Sequence, residues 1–210
     1  MSEHKEYAAL LGYSGHALVV AEAALSNATR LKGYLELERK QENPYQLDFL
    51  GREVDLISPE TSGFDQILLG IGDNVIRRRS AQLLRAKGFK ICSVAHKDSL
   101  VSDMAIIHAG AFIARGAIIN PLAEVGQDAI INSGAIIEHG VVVGSGSHIA
   151  PGAVICGEVL IGEMCFIGAG AVIKQGVKIG DGAVIGGGGV VLTDVPTKER
   201  WLGVPAMKKP

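Results

Sequence analysis

From Ala105 to Asp194 the chain reads AIIHAG AFIARG AIINPL AEVGQD AIINSG AIIEHG VVVGSG SHIAPG AVICGE VLIGEM CFIGAG AVIKQG VKIGDG AVIGGG GVVLTD, fifteen hexads without an insertion. The third place of every hexad is Ile or Val, from Ile107, Ile113, Ile119 and Val125 through to Val191. An α-helix and a half-buried strand have shorter periods, and neither keeps a strict six with small residues between the apolar groups. Short β segments joined by tight turns do. Three hexads then close one triangular coil with the third-place side chains inside the prism, and coils stack at the strand spacing of ~4.8 Å. Fifteen hexads make five coils.

The bulk composition narrows the function. Hydrophobic residues make up 48% and charged residues 20%, which predicts a folded globular protein. The net charge is −2, so there is no basic excess to meet a phosphate backbone, and nucleic acid is not expected as a partner. Cys92, Cys156 and Cys165 have no metal-ligand or disulfide spacing, so reduced core cysteines and a cytoplasmic location are expected, with no bound metal. The acidic start MSEHKEYAAL lacks the apolar run of a signal peptide. Stretches such as VAEAAL are too short to cross a bilayer.

Residues 1–95 follow another pattern. EYAALLGYSGHALVVAEAALSNA reads as a strand, a turn at Gly12–Gly15, and an amphipathic helix from about His16. LKGYLELE reads as a second strand. FDQILLGIGDNVIRRRSAQLLRAKGF repeats strand, turn (Gly70–Asn74) and helix, and KICSVAH closes with another strand. Alternation of this kind predicts a small, Rossmann-like parallel α/β domain whose ligand crevice lies beyond the C-terminal ends of its strands. GYSGH is not a dinucleotide fingerprint. It does set free backbone N–H groups at a helix start, where a phosphate binds well; a bare strand–helix turn explains the same residues.

The motifs GYSGHALVVAEA, GIGDNVIRRR, NSGAIIEH, SHIAPGAVICGEV and WLGVPAMKKP, in that order along nearly the whole chain, resemble the NeuD/PglD family of sugar acetyltransferases. The resemblance implies an α/β domain over 1–95, a left-handed parallel β-helix over 105–194, a tail over 195–210 bordering the coenzyme, and a homotrimer with its sites between subunits. It also implies the activity: acetyl passes from acetyl-CoA to the amino group of a nucleotide-linked amino sugar, a 4-amino-4,6-dideoxy sugar, or alternatively to a hydroxyl of sialic acid. The uninterrupted hexads argue against the maltose- and chloramphenicol-acetylating branches, which carry a long protruding loop.

Residue by residue, the resemblance places the catalytic histidine on His139 and the family asparagine, on the substrate side, on Asn132. A coenzyme-contacting histidine falls on His148 and an acetyl-binding amide on Gly157. Gly187 and the tail Lys208 are further coenzyme-side candidates. Hexad arithmetic adds its own support. His139 holds a fifth place, at a corner, and 18 residues on the same corner holds Gly157. A glycine there leaves space for a thioester and an N–H for the developing oxyanion. The acid that commonly follows the family's histidine is absent, since Gly140 stands there; Glu138 and Glu158 are the carboxylates available to orient the imidazole. On the α/β domain the expected substrate contacts are Gly12, Ser14, Gly15, His16, Asp73 and Asn74, with Glu36 at the end of the second strand meeting a ribose hydroxyl. Two other classes compete. A zinc carbonic anhydrase needs three converging histidines, whereas His139 and His148 are half a coil apart; a non-catalytic scaffold leaves the pairing of His139 with Gly157 unexplained.

Overall fold

The computed structural model describes residues 7–209; residues 1–6, the acidic start of the domain expected over 1–95, and Pro210, the end of the tail expected over 195–210, lie outside the described residues. Strands β1 (Ala8–Leu11), β2 (Leu31–Leu35), β3 (Asp48–Phe49), β4 (Gln66–Leu69) and β5 (Lys90–Ile91) form one parallel sheet in the order β3-β2-β1-β4-β5. Helix α1 (Gly15–Ser26) follows β1, a short α2 (Pro59–Ser62) precedes β4, and α3 (Asn74–Ala86) connects β4 to β5. Alternate residues of β1 face opposite layers, as the pleat requires. Ala8 and Leu10 pack toward α1, while Ala9 and Leu11 pack with Ala81 and Leu84 of α3.

Helix α1 is not the one-faced amphipathic helix that its sequence suggests. Ala17, Val20, Ala21, Ala23 and Ala24 are all buried, because the helix is covered by the sheet on one side and by Phe112 and Ile130 of the repeat domain on the other. KICSVAH is not a single strand either. Lys90–Ile91 ends the α/β sheet, whereas Val94–Ala95 already pairs with Phe112–Ile113 in the first coil. The coils therefore begin before Ala105. The hexad 99–104 keeps the Ile/Val rule with Val101, and only 93–98, with Ala95 in its third place, departs from it.

The hexads build three stacked parallel sheets of a left-handed β-helix. Face I holds the strands at 94, 112, 130, 148, 166 and 184; face II those at 100, 118, 136, 154, 172 and 190; face III those at 106, 124, 142, 160 and 178. Third-place residues from Ile113 to Val191 line the core, joined by first-place Ala, Val or Cys side chains such as Ala117, Val141 and Cys165. The sixth place of every hexad from Gly110 to Gly188 has a left-handed backbone, including Leu122, Asp128, Glu158 and Met164 at φ 64°, 59°, 60° and 58°. Each of these four carries a cost of ~1–2 kcal/mol that glycine avoids, and the continuous pairing of the coils outweighs it. The tail adds strands Arg200–Leu202 and Met207–Lys209 to the end of face I, where Trp201 and Ala206 close the core.

Candidate active site

The strand order reverses between β1 and β4, which makes the gap at their C-terminal ends the topological switch point. The turns Gly12–His16 and Gly70–Asn74 flank that gap. A Cβ on Gly70 would fall 2.6 Å from Ala17 Cβ and 2.7 Å from the Leu11 carbonyl oxygen, so only glycine lets the two turns close together. Beside them opens a cleft of about 800 Å³ lined by Tyr13, Ser14, Gly15, Leu18, Lys40 and Asn43. The Ser14 side chain makes no capping bond to α1. Lys40 and Asn43 are site residues that the sequence did not single out. They sit in an irregular loop held by Tyr13, whose hydroxyl donates to Asn43 Oδ1 at 2.7 Å, and by the Tyr34 hydroxyl, which accepts from the Lys40 N–H at 2.9 Å.

Three expected ligand contacts have intramolecular partners instead. Glu36 accepts from the N–H groups of Leu37 (3.0 Å) and Tyr13 (3.2 Å) and lies 3.5 Å from Lys40 Nζ. Burial pushes its pKa upward, but those donors and the lysine outweigh it and hold the carboxyl below its ordinary value. Asp73 caps α3 by accepting from the Ile76 N–H at 2.9 Å. Asn74 donates to the Cys165 carbonyl at 2.9 Å and accepts from Arg77. These side chains shape the crevice, leaving Ser14 and the Gly15 start of α1 as its open polar edge.

Below the crevice, His16 and His148 meet where the α/β domain rests on face I. Their ring centroids are 5.9 Å apart, and Phe112 and Phe166 pack edge-on against them. Burial lowers both pKa values to about 4, helped by repulsion from each other's partial charge at His16 and from Arg77 at both. His16 Nε2 is buried without a hydrogen-bond partner among the described residues. Asn132 reaches His148 Nε2 at 3.1 Å. Asn132 and His148 are thus one unit, although the sequence assigned them to different ligands.

His139 is elsewhere. It sits at the corner between faces II and III, away from face I, and it is exposed. A Cβ on Gly157 would lie 2.6 Å from its Cε1 and Nε2, so the imidazole lies directly over that glycine. The pairing follows the hexad arithmetic, and the ring rests on the side of Gly157 where a Cβ would stand. No described residue accepts from the Gly157 N–H. Glu158 leans across Gly140, its Cγ 3.6 Å from where a Cβ would stand. Among the described residues neither Glu158 nor Glu138 hydrogen-bonds the imidazole. Gly187 lies on the corner between faces I and II, packed on the Ala169 carbonyl. Lys208 donates to Glu199 at 2.6 Å, and Glu199 also accepts from Trp201 Nε1.

The base corner and the crevice therefore belong to different sides of one chain. A single site containing both needs a second copy to bring its corner to face I. Among the described residues no three His, Cys, Asp or Glu side chains are grouped to hold a metal, and no helix is long and apolar enough to cross a membrane.

The family model for the PglD N-terminal domain matches residues 8–84, and the bacterial transferase hexapeptide model matches 122–157 and 158–193. The acetyltransferase domain of PglB from Neisseria gonorrhoeae FA1090, solved with acetyl coenzyme A, is 32% identical over 98% of this chain and 100% of that one, with a TM-score of 0.90. PerB from Caulobacter crescentus, solved with CoA and GDP-perosamine, is 30% identical over 97% of each chain, with a TM-score of 0.91. WeeI from Acinetobacter baumannii AYE, 23% identical over 97% of this chain and 100% of that one at a TM-score of 0.79, shares the fold.

Proposed function

The chain belongs to the NeuD/PglD-type sugar acetyltransferases, and from that membership we propose that it transfers acetyl from acetyl-CoA to the amino group of a nucleotide-linked 4-amino-4,6-dideoxy sugar, with His139 as general base. The observation that carries this reading is the imidazole of His139 lying over Gly157. It places a base beside an N–H that has no protein acceptor, the arrangement that attack on a carbonyl requires. The PerB and PglB structures, holding CoA with GDP-perosamine and acetyl coenzyme A respectively, support the two substrate classes.

In this reading the nucleotide lies in the cleft beside Ser14 and Gly15, with Lys40 near its phosphates, and the sugar extends over His16, His148 and Asn132. The neighbouring subunit of a trimer brings His139 to that surface. His139 removes the proton from the sugar nitrogen as it bonds to the acetyl carbon. The Gly157 N–H stabilises the negative charge that develops on the carbonyl oxygen, and the protonated imidazole returns its proton to the departing thiolate. Glu158, leaning over Gly140 beside the ring, is the carboxylate best placed to orient the imidazole, with Glu138 the other choice. Near Gly187 and the tail the coenzyme passes along the helix, and Lys208 exchanges Glu199 for a phosphate. The chemistry is cytoplasmic.

A thiol-release assay over UDP-, dTDP- and GDP-linked 4-amino sugars, with sialic acid included, tests the proposal. Turnover on one 4-amino sugar nucleotide is expected. Turnover on sialic acid alone, or on none of them, would overturn it.

A further inference from the structure

Arg77 is 1% exposed, yet Arg78 and Arg79 beside it face outward. Its five N–H donors all have acceptors. Nε donates to the Asp128 carbonyl at 2.8 Å; Nη1 to the carbonyls of Ile71 (3.2 Å) and Gly72 (2.9 Å); Nη2 to Asn74 Oδ1 (2.9 Å) and the Gly146 carbonyl (2.7 Å). No carboxylate contacts the guanidinium, and burial lowers its pKa to about 10. A guanidinium whose hydrogen bonds all go to carbonyl oxygens, with the Asp128 and Asp73 carboxylates attracting it without contact, is costly to bury, so the arrangement calls for a role beyond packing.

What these bonds connect identifies the role. Asp128 and Gly146 are sixth-place corners of successive coils, and Asn74 reaches the third coil through Met164 and Cys165. Arg77 therefore ties the turn Gly70–Asn74 to the β-helix across that corner. The Gly72 carbonyl that Arg77 holds is also 3.3 Å from His148 Nδ1. A carbonyl only accepts, so Nδ1 carries the proton and Nε2 is bare. Asn132 agrees: its Oδ1 accepts from the Ser133 N–H at 2.8 Å, which turns its Nδ2 donor toward His148 Nε2. One chain of polarity thus runs from the guanidinium through Gly72 and His148 to Asn132.

We propose that Arg77 is a positioning residue for acetyl transfer: it locks the acceptor-side turn onto the β-helix and keeps His148 in its Nδ1–H form, so that His148 and Asn132 present one fixed polar surface to the sugar. This rests on the acceptor lying over face I, as the transferase reading has it. Arg77→Gln removes the charge and most of the donors; Arg77→Lys keeps the charge but cannot span both coils. The sugar-nucleotide KM is expected to rise at least tenfold in both, with the acetyl-CoA KM within twofold of wild type. Histidine-selective ¹⁵N NMR is expected to show His148 as a pure Nδ1–H tautomer in the wild type and as a mixture in Arg77→Gln. A purely structural role would instead lower Tm while leaving the tautomer and the sugar KM unchanged, and that result overturns the proposal. If Arg77→Gln does not fold, an Arg77→Lys protein with wild-type KM values overturns it, as does finding His148 as Nε2–H in the wild type. The NMR measurement needs no turnover, so failure of the transferase reading is recognised separately, by an inactive wild type.

Discussion

Replacing Gly157 with alanine tests the pairing of base and amide most directly. The added Cβ would stand 2.6 Å from Cε1 and Nε2 of His139 and 3.2 Å from Nδ1. Ordinary carbon contacts need roughly 3.5 Å or more, so the imidazole must move by about 1 Å. The ring is exposed and ends a rotatable side chain, whereas the Gly157 backbone is not in the left-handed region. The displacement therefore falls on the ring and not on the fold. A misplacement of about 1 Å at a reacting group costs on the order of 10²-fold in rate. Gly157→Ala should accordingly lower kcat by about two orders of magnitude, with Tm and oligomeric state unchanged. Valine should do the same and also weaken acetyl-CoA by at least about tenfold, ~1.4 kcal/mol, without touching sugar-nucleotide affinity. The assays are thiol release for kcat and calorimetry for the two ligands. A folded Gly157→Ala enzyme with near-wild-type kcat would refute the placement of His139 over Gly157 as the working geometry.

Removing the base itself, in His139→Ala, should cost roughly 10²–10⁴-fold in turnover in a protein that circular dichroism shows to be folded. Because the base corner and face I belong to different subunits in this reading, mixed trimers of His139→Ala with Asn132→Ala should regain activity that neither variant has alone; light scattering should give a trimer, and an active monomer would contradict both expectations. His16 and His148 titrate at about 4 when folded against 6.5 when free, so the unfolded chain binds more protons between those values. Stability is then complete above pH ~6.5 and declines as pH falls toward 4, by roughly 3 kcal/mol per histidine; a Tm that stays flat from pH 7 to 5 would argue against two neutral buried rings. Arg85 holds the buried Asp128 carboxylate with bonds of 2.7 and 2.6 Å, so Arg85→Ala should destabilise the protein by about 3 kcal/mol or more in thermal melts, and a loss under 1 kcal/mol would mean that water reaches Asp128.

The β-helix was legible in the sequence because it is a local repeat. Each hexad states its own turn and its own inward residue, and counting by 18 sets Gly157 beside His139 with no knowledge of tertiary contacts. The same counting extends to Ser99, since Val101 keeps the rule, and ends there because Ala95 is too small to mark a third place, although its backbone pairs with Ile113 like the others. The turns Gly12–His16 and Gly70–Asn74 were legible for a similar reason, since glycine, a capping residue and the start of a helix lie together in each. Strand β3 was not: it is two residues long and begins with an exposed aspartate. What the sequence could not state is how the two domains meet. That contact brings His16 from one helix start onto His148, turns Asn74 toward the coil at Cys165, and distinguishes Arg77 from the arginines that follow it. Residues separated by 51 to 91 positions carry the hydrogen bonds between the domains, and no local periodicity records them. They arise only when two folded surfaces dock and every buried donor must find an acceptor.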